Sequence, residues 1–390
     1  MRNPLSNKVI DIKPSGIRKF FDIVSEMNDP EVISLGVGEP DFDTPWHIRE
    51  EGIYSLEKGK TFYTSNSGLM ELRQEICNYL QRKCNVSYNP STEVIVTVGG
   101  SEAIDIGLRA MINPGEEVLI PQPSYVSYEP CAILADAVPV IINLKEENEF
   151  RLTKQELLDA ITPKTKVLIL PFPNNPTGAV MTKEELQEIA EVCIEKDIFV
   201  MSDEIYSELT YGFEHTTIAS LPGMRERTIL INGFSKAFAM TGWRLGYACG
   251  PEEIIQQMTK IHQFAIMCAP TTAQYAAVEA LKNGDNSVEE MRQSYDQRRR
   301  FLVHTFRKMG LECFEPFGAF YVFPNIKSLG MSSDEFANEL LKAEKVAVVP
   351  GTAFGDCGEG FLRISYAYSL EELKEATGRI ARFVEKLRSK

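Results

Sequence analysis

The sequence has few of the residues that staple or anchor a protein by special means. Its four histidines (His47, His215, His262 and His304) stand singly, and no two of its eight cysteines have metal-ligand spacing. That argues against a metal centre, and the cysteines read as reduced, structural thiols of a cytoplasmic chain. No uncharged apolar run approaches membrane-spanning length, and the start, MRNPLSNKVIDIKPSG, lacks the apolar core of a signal peptide. Basic residues are outnumbered: 41 Lys and Arg face 55 Asp and Glu, a net charge of −14, which speaks against nucleic acid or an anionic membrane as main partner. A small anionic ligand stays possible, because a local pocket can be basic. Two phosphate signatures are missing as well. Gly99-Gly100-Ser101-Glu102 is followed by no Gly-Lys-Ser/Thr, so it is not a Walker loop. It also lacks the third glycine and downstream acid of a dinucleotide fingerprint, which argues against a nicotinamide dehydrogenase.

What is present suits an enzyme of ordinary build. The chain has 390 residues, 44% hydrophobic and 25% charged, enough for a large domain carrying a smaller one and for a core without staples. From about 90 to 250, short β-rich runs alternate with helical patterns: Val94–Val98, Val118–Pro121, Val138–Ile142, Val167–Leu170, Ile198–Ser202, Thr228–Asn232 and Arg244–Cys249. Thr182 and Glu185 form a capping box that opens a helix with Leu186, Ile189, Ala190, Cys193 and Ile194 on one apolar face. Ser369 and Glu372 open the last helix, whose stripe is Leu370, Leu373, Ala376, Ile380, Phe383, Val384 and Leu387. Residues 1–44 hold one short helix pattern and a Gly-Pro loop, whereas 290–390 mix a long charged helix with strands and helices. The expectation is an α/β fold: a large domain over 45–288 with a mainly parallel sheet flanked by helices, and a small α+β domain built from 1–44 and 289–390.

Five blocks in order narrow the chemistry: SLGVGEPDFDTP (Ser34–Pro45), NNPTG (Asn174–Gly178), DEIY (Asp203–Tyr206), GFSKAFAMTGWRLGY (Gly233–Tyr247) and FLRISYA (Phe361–Ala367). Together they resemble the class I/II aminotransferases of the pyridoxal-phosphate fold type I group, over nearly the whole chain. The resemblance implies pyridoxal 5'-phosphate as cofactor and transfer of an α-amino group between an L-amino acid and a 2-oxo acid. It assigns Lys236 the Schiff base to the cofactor and the proton shuttle that follows, roles open to a lysine amine once desolvation lowers its pKa. Asp203 then pairs with the pyridine nitrogen, while Asn175 and Tyr206 donate to the cofactor's phenolic oxygen. Gly100, Ser101 and Glu102, opening a helix, with Ser235 and Arg244, are the phosphate donors. Gly233 stands where relatives often have serine, so one phosphate contact is expected to be missing or replaced. Arg363 grips the substrate α-carboxylate beside the backbone of Gly38. Tyr125 stacks on the pyridine ring, and Tyr63 reaches the phosphate of a partner subunit, which implies a homodimer.

Substrate choice is less determined. Some relatives that accept aspartate carry lysine directly after the Gly-Gly, where this chain has Ser101; that leans toward aromatic or broad specificity, with aspartate still open. Ile17, Phe20 and Phe264 are candidate wall residues. Two other functions stay open: a β-carbon–sulfur lyase of the cystathionine type, which shares the same lysine, aspartate and arginine, and a non-catalytic regulator on an aminotransferase body.

Overall fold

A computed structural model describes residues 2–18 and 29–389. Its strands are β1 (Ile33–Ser34), β2 (Val94–Thr97), β3 (Glu117–Gln122), β4 (Val138–Asn143), β5 (Thr165–Leu170), β6 (Phe199–Asp203), β7 (Thr228–Gly233), β8 (Gly246–Cys249), β9 (Tyr321–Val322), β10 (Val346–Ala347), β11 (Val349–Pro350) and β12 (Leu362–Ser365). Seven of them form one sheet in the order β2-β8-β7-β6-β5-β3-β4. The fold is α/β with a mainly parallel central sheet. Only β8 runs against its neighbours, pairing antiparallel with both β2 and β7.

Apart from the edge strand β4, the sheet is largely buried on both faces, so its strands read as continuous apolar runs. Alternation still sorts them. Val167 and Ile169 join a cluster with Ala103, Ile106 and Met258, whereas Leu168 and Leu170 join one with Leu186, Ile189 and Cys193. The helices Gly100–Met111 and Glu252–Ala265 thus cover one face, and Lys183–Glu195 the other. All seven expected strands exist. The last begins two residues later than expected, because Arg244 has a φ of +52° and cannot lie in an extended strand.

A second, smaller layer contains β1 paired with β10 and the antiparallel set β11-β12-β9. Ile33 opposite Val346 ties the N-terminal segment into C-terminal structure. Leu35, Phe306, Phe336, Ile364 and Ile380 share one buried cluster there. Both expected capping boxes form, and Thr153/Glu156 and Ser332/Glu335 add two more. Two apolar positions were misassigned: Ile194 and Leu370 are exposed, at the last turn of one helix and the first position of another, where the stripe runs past its cover. No helix among the described residues is long and apolar enough to cross a membrane.

Candidate active site

Parallel strands gather their carboxyl ends at one edge, which is where α/β sheets bind ligands. Asp203 ends β6, Lys236 lies three residues past β7, and Gly100 opens a helix soon after β2. Because β8 is reversed, its amino end sits at the same edge, and this brings Arg244 to the others. Those residues line a cavity of about 280 Å³ together with Ile17, Gly38, Ser101, Tyr125, Asn175, Tyr206, Ser235 and Arg363.

Asp203 is buried and accepts hydrogen bonds from the Tyr128 hydroxyl (2.7 Å) and the Ile205 amide (3.2 Å). Burial pushes its carboxyl above the usual range, and these two bonds oppose the shift. Lys236 donates to the Gly38 carbonyl at 2.6 Å. Burial lowers its ammonium from the ordinary 10.5 to about 8, with Arg363 and Arg244 adding to the shift and Glu39 opposing it. Near neutrality such an amine is readily freed of its proton, as a nucleophile requires.

Arg363, on β12, is only 2% exposed. It donates to Asn175 Oδ1 at 3.0 Å and to the Gly36 carbonyl, while its Nε has no partner among the described residues. The guanidinium lies between the rings of Tyr321 (4.6 Å) and Phe354 (4.8 Å). No carboxylate among the described residues pairs with it. A buried guanidinium left so is prepared for an incoming anion. At the other end, Gly99 has a φ of +82°, and a Cβ there would meet an Arg244 nitrogen at 2.7 Å. The loop backbone and the guanidinium therefore approach closely at the start of the helix Gly100–Met111, a place where free amides and the helix dipole favour an anion. Ser101 shares this end, its hydroxyl 3.3 Å from that of Tyr125.

Two expected site residues stand apart. Glu102 turns its carboxylate to His262 Nδ1 (2.6 Å) and to the Val98 amide, so its side chain is not in the cavity. Tyr63 is 81% exposed and touches none of the cavity groups in one chain. Of the candidate wall residues, Ile17 lines the cavity, Phe264 projects outward at 85% exposure, and Phe20 lies outside the described residues. Conversely, Tyr128, Tyr321, Ile104 and Ile205 line the cavity without having been expected. Tyr128 stands three residues past Tyr125 on the helix Tyr128–Leu134, a spacing that could have flagged it. Tyr321 lies in the apolar run FGAFYVFP, which offers no such signal.

A family model for "Aminotransferase class I and II" matches residues 30–380. The chain belongs to the class I and II aminotransferases. It is 55% identical to the YugH protein of Bacillus subtilis over 99% of this chain and 100% of that one. With an aspartate aminotransferase of Pyrococcus abyssi it shares 49% identity over 96% of this chain and 97% of the relative. The structure of an aromatic aminotransferase from Pyrococcus horikoshii superposes with a TM-score of 0.91 at 47% identity, covering 95% of this chain and 99% of that one. The chain is thus an enzyme, a transaminase that moves an amino group between an amino acid and a 2-oxo acid, and its family uses pyridoxal 5'-phosphate. The residues present fit that cofactor: a half-buried lysine with a lowered pKa, a buried carboxylate with no cation beside it among the described residues, and a helix-start anion site lie around one cavity.

Proposed function

We propose that this transaminase acts on amino acids with aromatic or other apolar side chains, through the cavity at the sheet edge. The observation that carries the reading is the count of cations: only Lys236, Arg244 and Arg363 line the cavity among the described residues, and each has a task. Arg244 serves the phosphate with Ser235 and the amides of Gly100, Ser101 and Glu102. Arg363 holds the substrate α-carboxylate beside the backbone of Gly38. Lys236 carries the cofactor and then moves the proton at the substrate α-carbon. Among the described residues no fourth cation lines the cavity to meet a side-chain carboxylate, while Ile17, Ile104 and Tyr125 supply apolar wall.

The remaining residues complete this reading. Asp203 keeps a proton on the pyridine nitrogen, and the hydrogen bond from Tyr128 orients Asp203 and favours its ionised form. Asn175 and Tyr206 donate to the phenolic oxygen, and Tyr125 covers the ring. When bound, the cofactor supplies the electron sink that makes the α-proton acidic. Tyr63, so exposed in one chain, reaches the phosphate of a second subunit, and the enzyme works as a homodimer. Division into a large domain over 45–288 and a small one from 1–44 and 289–390 puts Arg363 and Gly38 on the smaller body. Eight free thiols suit a cytoplasmic enzyme.

The test is the visible spectrum of the cofactor-loaded protein after adding single amino acids without an oxo acid. Phenylalanine and tyrosine are expected to bleach the yellow band at lower concentrations than aspartate. A response to aspartate or glutamate above all would sink the apolar reading while leaving the transaminase intact.

A further inference from the structure

We propose that Tyr321 is a positioning residue whose hydroxyl donates into Tyr206 and so strengthens the hydrogen bond that Tyr206 gives to the cofactor's phenolic oxygen. The inference rests on the reading of Tyr206 above.

Tyr321 lies on β9, is 1% exposed, and puts its hydroxyl 2.9 Å from that of Tyr206. Both line the cavity. The Tyr321 ring cannot withdraw: it packs on Phe320 at 4.8 Å, meets Tyr206 edge-on at 5.9 Å, and supports the Arg363 guanidinium on its face. Its hydroxyl is also pinned from the loop side, since a Cβ on Gly38 would stand 2.6 Å from it. The backbone of Gly38 approaches so closely that only glycine fits there without moving Tyr321.

A phenol donates one proton and accepts through its lone pairs. With the cavity free of ligand, either tyrosine can donate to the other. Once Tyr206 spends its proton on an acceptor inside the cavity, its oxygen is left accepting, and Tyr321 is placed to donate. Donation into a phenol oxygen polarises its O–H bond and makes it a stronger donor in turn. Burial raises both phenols from their ordinary value, so both keep the protons such a chain needs. The charged and titratable groups acting on the pair are Arg363 from β12, Asp203 from β6, and Glu39 and Tyr125 from loops. A Tyr321→Phe change leaves all of them in place. It also keeps the ring under Arg363, which separates the hydroxyl's effect from packing.

The experiment is a pH titration of the visible band in the cofactor-loaded enzyme, for wild type, Tyr206→Phe, Tyr321→Phe and the double variant. Weaker donation to the phenolic oxygen leaves that oxygen more basic, so the midpoint moves up. We expect a clear rise for Tyr206→Phe, a smaller one of about half a pH unit for Tyr321→Phe, and no further rise in the double variant. Turnover of Tyr321→Phe should fall about threefold to tenfold with KM changed less than about twofold, as for loss of one supporting hydrogen bond. Fluorotyrosine at position 321, a stronger donor of the same shape, should move the midpoint down. A shift in Tyr206→Phe with none in Tyr321→Phe or fluorotyrosine would overturn the role of Tyr321 alone. Additive shifts in the double variant would do the same. If neither variant shifts, the reading of Tyr206 fails and the inference with it.

Discussion

The cavity has two walls, built differently. One is the carboxyl edge of the seven-stranded sheet, where Asp203, Lys236, Gly100 and Arg244 sit at or near strand ends whose register is set by ladders of backbone hydrogen bonds. The other comes from the short strands β9 and β12 and the loop around Gly36–Asp41, and side chains hold it: Arg363 to Asn175 and to the Gly36 carbonyl, Tyr321 to Tyr206, Tyr368 to the Val37 amide. Backbone ladders tie the first wall to the sheet. The second is fastened partly to groups of the first, including Lys236 through the Gly38 carbonyl. A change in the first wall should therefore act mainly on the reaction step, and a change in the second on substrate binding as well.

The largest effect tests the first wall. If Lys236 has the proposed roles of nucleophile and proton carrier, Lys236→Ala should lower turnover by at least about a thousandfold, and borohydride should no longer fix the cofactor to the chain. Near-normal turnover would end the assignment. The same residue has a pH signature in the cofactor-free protein. Its folded pKa of about 8 lies below the ordinary 10.5, so between these values the folded state binds fewer protons than the unfolded state. Stability linked to Lys236 therefore rises with pH through that window, and the full cost of burying the ammonium is felt below pH 8. Lys236→Met should exceed wild type most at pH 7, with the gap narrowing toward pH 10 in urea titrations.

Next in size is the second wall. Arg363→Lys keeps the charge but loses the planar fork and the stacking between Tyr321 and Phe354. We expect kcat/KM to fall by about a hundredfold, chiefly through KM. The cofactor's affinity, measured on the resting protein, should hardly change. A loss of cofactor affinity equal to the loss of kcat/KM would mean that the two walls are not separable.

The walls also differ in how far the sequence revealed them. Strand ends are legible because continuous apolar runs mark the strands; Asp203 and Lys236 were named through the motif resemblance, and their places at or just past the ends of two such runs agree with it. Arg363 and Gly38 were legible only as parts of longer motifs, since nothing in local pattern distinguishes a buried arginine on a four-residue strand. Tyr321 and Tyr128 were missed because an aromatic residue in an apolar run satisfies the rules for core packing. Whether its hydroxyl faces a cavity depends on contacts between residues 115 and 75 positions apart in the chain. The start of β8 differs from the expectation because Arg244 has a left-handed backbone. Side-chain periodicity carries no trace of it.

A smaller effect is expected at Gly38. In Gly38→Ala the new methyl collides with the Tyr321 hydroxyl, and kcat/KM should fall about fivefold to tenfold, as for modest overpacking. Adding Tyr321→Phe removes the atom struck and should restore part of the loss, measured by the kinetics of the single and double variants. Failure of that rescue would place the cost in the loop's backbone.

The smallest effect belongs to the end of the cavity proposed to hold the phosphate, where Gly233 stands at a position expected from the family resemblance to be serine. The structure gives a steric reason for glycine. Gly233 pairs with Gly246 across β7 and β8, and a Cβ at 233 would stand 3.0 Å from the Gly246 Cα, 3.0 Å from the Leu245 carbonyl and 3.1 Å from the Ile205 side chain. Gly246 cannot yield easily, because its other side is pressed against Gly99 and Gly100. Gly233→Ser should therefore cost about 1 kcal/mol of stability, a fall of about 1–3 °C in Tm. The added hydroxyl should change cofactor affinity by less than about twofold in a fluorescence titration of the cofactor-free protein. Tighter binding without loss of Tm would show that this strand pair has room to spread. The first wall would then be less rigid than its ladder of hydrogen bonds implies, and the contrast between the two walls would be one of degree.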